Sequence, residues 1–138
     1  MAAFNKFESF VEAVAEGVHN LGSDQLKVAL TNSVPSATDT QLSDITEISY
    51  TNISGVNPRD VTTSSSAQTS GTYKLVLADL TLTASGSVGP FRYVVLYNDT
   101  ATNKELIGYY DYSASLSLLT QEDFVIDFDG TEGVLTLV

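Results

Sequence analysis

The sequence predicts a mainly β protein: an antiparallel β-sandwich or barrel of about seven to nine short strands, preceded by one N-terminal amphipathic helix. Three observations predict it. Apolar–polar alternation recurs from residue 25 onward, broken by Gly, Pro and Asn-Asp turns. The run Phe91–Tyr97 is apolar on both faces, as a central covered strand requires. Only residues 4–21 carry a helical period.

In that first stretch Phe4, Phe7, Phe10, Val11, Val14, Val18 and Leu21 recur at spacings of three and four. Gly22 is the expected stop, and His19 is expected in the last turn, on the surface or capping the helix end. A helix of this length is marginal alone, so its aromatic stripe needs a cover. The cover is either the chain's own β core or another subunit. The expected organisation is therefore a helix or arm over residues 1–22 and a β domain over residues 23–138.

The strands follow in order. Leu26, Val28 and Leu30 alternate with polar neighbours and predict a half-buried strand. Residues 32–44 are turn-rich and polar, an exposed loop. Ile45–Tyr50 is expected to form a short strand. Residues 51–71 read as irregular, with a short pairing near Asp60–Thr63. Tyr73, Leu75 and Leu77 alternate, and Leu80, Leu82 and Ala84 continue after a bend at Asp79. Phe91–Tyr97 and Leu106–Tyr112 are expected to pair as a hairpin around the loop 98–103. Leu116–Leu119, Phe124–Phe128 and Val134–Val138 supply three more strands, with a turn at Asp129-Gly130 between the last two.

Charge narrows the function. Six Lys and Arg face 17 Asp and Glu, a net charge of −11, and the cations are scattered singly. Nucleic-acid binding needs clustered positive charge, and an anionic membrane surface needs the same. Neither is an expected partner. No segment approaches the ~18 apolar residues of a membrane-spanning helix. The first residues lack a basic, apolar leader, so the chain is expected to begin at or near Met1. With no cysteine and one histidine, Cys-based and His-cluster metal sites are excluded.

Little else points to chemistry. No Gly-x-Ser-x-Gly elbow accompanies His19, so no Ser-His-Asp triad is indicated. Asp127, Asp129 and Glu132 in the run DFDGTEG are the leading candidate cation site, through oxygen ligands, with Glu122-Asp123 a similar pair that more often marks a turn. The spacing in DFDGTEG misses the EF-hand pattern, and a solvated acidic turn is the competing reading. Tyr93, Tyr97, Tyr109, Tyr110 and Tyr112 could line a sugar-binding surface or fill the core and its rim. The chain is expected not to be an enzyme and to need no cofactor.

Residues 4–32 (FNKFESFVEAVAEGVHNLGSDQLKVALTN) and 65–112 (SSAQTSGTYKLVLADLTLTASGSVGPFRYVVLYNDTATNKELIGYYDY) carry a further signal. There the chain resembles small virion structural proteins of tailed bacteriophages, most closely those assigned as capsid decoration or cement proteins. The resemblance is extended rather than motif-based. The segment TNISGVNPRDVTTSS (51–65) departs from it, lacking a Gly-rich turn that relatives carry there. The resemblance implies a many-copy protein on the capsid exterior, made in the host cytoplasm. Its implied partners are the major capsid protein and copies of itself, as a homo-oligomer with a trimer favoured. A tail or head-fibre component, or a carbohydrate-binding attachment module, are the alternative roles. Partner contacts are expected from Phe4, Phe7, Phe10 and Val14 on the helix, Pro35 in the first loop, and Pro58 and Arg59 in the altered segment.

Overall fold

The computed structural model describes residues 2–138. In chain order its elements are β1 (Phe4–Lys6), α1 (Ser9–Ala15), β2 (Leu26–Thr31), a 3-10 turn (Leu42–Asp44), β3 (Asp60–Val61), β4 (Thr63–Thr69), β5 (Thr72–Leu77), β6 (Leu80–Thr83), β7 (Val88–Asn98), β8 (Leu106–Leu118), β9 (Asp123–Ile126) and β10 (Leu135–Leu137). All pairings are antiparallel, in sheets ordered β1-β8-β7-β2-β3, β10-β5-β4 and β6-β9. The fold is mainly β and sandwich-like, as the alternation predicts.

β7 is the centre of the largest sheet, between β2 and β8. Its Val94 and Leu96 join the main core with Leu26, Val28 and Leu30 of β2 and Leu75, Leu77, Leu82 and Ile126 of the smaller sheets. Its Val95 and Tyr97 face the other way, into a second cluster with Phe7, Ala29, Ile45 and Leu106. Both faces of the strand are thus covered, which is why every position from Phe91 to Tyr97 except Arg92 is a buried apolar or aromatic residue.

The N-terminal stretch differs from a single helix over 4–21. Phe4 lies in an edge strand paired with β8, opposite Tyr110. Phe10 enters the main core, whereas Phe7 enters the second cluster. The aromatic spacing of three serves the two faces of one sheet, crossed at its edge between Phe7 and Phe10. A continuous helix would have put all three on one side. Pairing residues 4–6 with β8 also satisfies backbone groups at the sheet edge that a helix would leave open.

α1 then ends at Gly17, not Gly22. Gly17 is left-handed, with φ 76°. Its N–H donates to Val14 O, and the Val18 N–H donates to Ala13 O at 2.8 Å, the two bonds of a Schellman cap. His19 therefore lies beyond the helix. Phe10 and Leu21 share the core with the β strands, so residues 4–21 pack on the chain's own β core.

Three strand expectations also change. Ile45–Tyr50 is not a strand; it runs along β2, touching it through Ile48 N–H to Leu30 O at 3.0 Å. Thr63–Thr69, read as irregular, is β4 and pairs with β5. Leu106–Leu118 is one strand, bent where Ser113 adopts φ 68°. The Asp129-Gly130 turn is present, but β9 and β10 on either side of it belong to different sheets.

Candidate functional site

The residues expected to meet a partner divide by burial. Phe7 and Phe10 are fully buried, and Pro35 is buried as well. These three are covered by their own chain and cannot form a docking surface; Phe7 and Phe10 hold the N-terminus to the core. Phe4 is half-buried, its ring edge-on to Tyr110 at 5.2 Å between centroids. Val14 and Pro58 are half-buried and retain partial access.

Arg59 is largely committed inside the molecule. Its guanidinium lies 3.8 Å from the Tyr50 ring centroid and donates to Val28 O at 2.8 Å and to Tyr97 Oη at 3.3 Å. Glu47 stands 3.9 Å away. Tyr50 Oη accepts from Leu30 N–H and donates to Glu47 Oε1 at 2.7 Å. Burial raises the Tyr50 hydroxyl well above the usual tyrosine value and raises that of Tyr97 as well. Proximity of Arg59 to residues 28, 50 and 97 has no signal in the linear sequence.

The candidate cation ligands do not converge. β9 ends at Ile126, so Asp127 and Asp129 are not on one strand face. Asp129 Oδ1 instead accepts the N–H groups of Thr131 and Glu132 at 2.9 and 2.8 Å. Those two bonds hold its carboxyl below the usual range. Among the described residues no group of three His, Cys, Asp or Glu side chains is placed to hold a metal ion.

The tyrosines fill space rather than forming a platform. Tyr93, Tyr97 and Tyr110 are buried. Phe91–Phe124, Tyr112–Phe124 and Tyr110–Phe128 meet at centroid distances of 5.1, 5.3 and 5.9 Å, an aromatic seam between the large sheet and β9 with the residues just after it. Burial pushes the Tyr112 hydroxyl up to about 12.

Several strand edges remain open, that of the uncharged outer strand β4 among them, and one belongs to β8. β1 covers β8 only over Gly108–Tyr110, and residues 40–42 cover its start through Thr40, Gln41 and Leu42. Among the described residues no strand pairs with positions 111–118 on the side away from β7. Residues 112–121 (YSASLSLLTQ) contain no charge, so this edge lacks the lysines that usually block pairing. Ser113, left-handed at φ 68°, interrupts the edge, and Asp111 places a charge at its start. The sequence signal was the alternation of Tyr112, Ala114, Leu116 and Leu118 with serines, which extends the Leu106–Tyr112 strand. Val56, 91 % exposed, and Val34 stand out on the loops 51–59 and 32–44.

A surface groove of about 520 Å³ is lined by Val14, Leu21, Tyr73 and Leu137 with His19, Asn20 and Ser66. Ser66 Oγ and Tyr73 Oη bond to each other at 2.7 Å. No helix among the described residues is long and apolar enough to cross a membrane. Comparison with protein-family models, with curated proteins and with solved structures finds no match.

Proposed function

We propose that this chain is a virion structural protein of the capsid decoration or cement type. It binds the outer surface of the head and bridges the major capsid protein and copies of itself, three around a local threefold position. The resemblance over residues 4–32 and 65–112 supplies the class. The observation that carries the reading in the fold is the unpaired edge of β8 over residues 111–118, uncharged beyond Asp111. Such an edge suits strand addition by a neighbouring chain, with backbone hydrogen bonds supplying affinity. The net charge of −11 suits a position away from packaged DNA.

Binding to expanded, undecorated heads tests this. The purified protein is expected to bind at a stoichiometry near that of the capsid protein and to raise the melting temperature of the heads. Ala114→Lys, which puts a charge on the open edge, is expected to weaken binding while leaving the protein folded. Failure of the unmodified protein to bind heads overturns the proposal.

A further inference from the structure

A buried polar cluster fastens the segment after α1 to the end of β7. His19 is only 8 % exposed, and Asn98 is fully buried. The Asn98 amide is oriented by two backbone donors, since its Oδ1 accepts from Thr100 N–H at 3.0 Å and Ala101 N–H at 3.2 Å. Its Nδ2 therefore presents one N–H to His19 Nδ1 at 3.0 Å and the other to Asp24 Oδ2 at 2.7 Å. Asp24 Oδ2 also accepts from Asn20 N–H at 2.8 Å, closing the turn 19–24.

This arrangement selects one form of His19. Nδ1 must be an acceptor, so the ring is neutral with its proton on Nε2. Nε2 is buried without a partner, as is Glu105 Oε2. A second proton on Nδ1 would set N–H against N–H across 3.0 Å. Asn98 cannot turn to receive it without losing both backbone bonds to residues 100 and 101.

The charged groups around the ring are Asp24, from the turn before β2, and Glu105, from the residue before β8. Both favour the imidazolium. α1 offers the ring only Phe10, at 5.4 Å between centroids, and its Glu12 and Glu16 are exposed. Burial outweighs the two carboxylates and holds His19 below its ordinary value of 6.5.

We propose that His19, Asn98 and Asp24 form an acid-released latch, which on protonation of His19 frees residues 17–24 from β7 and uncovers Phe10 and Leu21. A lowered histidine value means that the open form takes up the proton first. The latch is then fully closed above pH 6.5 and loses stability as pH falls below it.

Hydrogen exchange on the full chain at pH about 7.5 and about 5, corrected for intrinsic rates, tests the latch. The amides of Asn20, Asp24, Thr100 and Ala101 are expected to lose about tenfold in protection at the lower pH, while Val94 and Leu96 hold theirs. His19→Gln can accept the same bond and never ionises, so its exchange there should not respond to pH. His19 is the sole histidine, so ring-nitrogen NMR on the unaltered protein reports its tautomer without any variant. The Nε2–H tautomer at neutral pH with a midpoint below 6.5 is expected. An Nδ1–H tautomer, the same acid response in His19→Gln, or equal loss of protection across β7 would overturn the latch.

Discussion

Arg59 lies over the ring of Tyr50, 3.8 Å from its centroid, and the two side chains close an edge of β2 that no strand covers. β3 pairs only with Leu26 and Lys27. Beyond it, Val28 N–H donates to Arg59 O at 3.1 Å and Val28 O accepts from Arg59 Nη1. Leu30 N–H donates to Tyr50 Oη, and Leu30 O accepts from Ile48 N–H. Every outward backbone group of Val28 and Leu30 is thereby satisfied, half of them by side chains. Tyr50→Phe keeps the stacked ring but strands the Leu30 N–H. It should lower stability by about 1–3 kcal/mol, seen as a lower urea midpoint at unchanged slope. Arg59→Ala should cost more, since it removes both the bond to Val28 O and the stack. An unchanged midpoint for Tyr50→Phe would mean that the hydroxyl does not cap the edge.

The opposite side of the same sheet depends on a glycine. The Phe4 ring occupies the space above Gly108 where a Cβ would stand, and that Cβ would also meet Asn5 O at 2.7 Å. Gly108→Ala should push β1 from β8 and cost about 1–3 kcal/mol. Removing the ring makes room, so Phe4→Ala combined with Gly108→Ala should cost less than the sum of the two, by about 1 kcal/mol. Urea denaturation of the four proteins measures this. Strict additivity would show that ring and glycine do not share the space.

Deleting residues 1–22 should abolish cooperative folding rather than yield a folded protein that merely fails to bind. Phe10 belongs to the main core and Phe7 to the cluster on the other face, so the deletion opens both sides of the large sheet. Phe10→Ala alone should cost about 3–5 kcal/mol. Circular dichroism melting of the truncated and substituted chains decides it. A truncated chain with an unaltered melt would return the N-terminus to the role of a docking arm.

The same N-terminus shows where sequence patterns stop being informative. Phe4, Phe7 and Phe10 have the spacing of a helix face, yet that spacing also carries a chain around a sheet edge. β7 was legible because both of its faces are covered, leaving its apolar run nearly unbroken. β4 was not, because TSSSAQT has no buried face to impose alternation. The polar sites were hidden for a different reason. His19 and Asn98 lie 79 positions apart, and Arg59 and Tyr97 lie 38 apart. Only the closed fold makes them neighbours. The turn at Asp129 was legible because its bonds run to residues two and three positions on.

Stability should fall in two stages as the solution is acidified. Four exposed or half-buried carboxylates, Asp44, Asp99, Asp111 and Asp129, are held below the ordinary aspartate value of 3.8. Asp111 owes this to its paired bonds from Arg92 at 2.8 and 3.1 Å, with the Ser113 N–H adding to it. Asp44 accepts the N–H groups of Thr40 and Gln41, and Asp129 those of Glu132 and Thr131. A depressed carboxylate contributes stability that is fully present above its unfolded value and is lost as pH falls through the lower folded one. Their loss therefore begins below about pH 4, whereas His19 acts from 6.5 downward. Urea midpoints measured from neutral pH to strong acid should show a shallow first decline, absent in His19→Gln, and then a steeper one. Asp111→Asn and Asp129→Asn should each flatten the second decline and leave the first in place. A second decline of unchanged steepness in both variants would mean that these carboxylates do not carry the acid sensitivity.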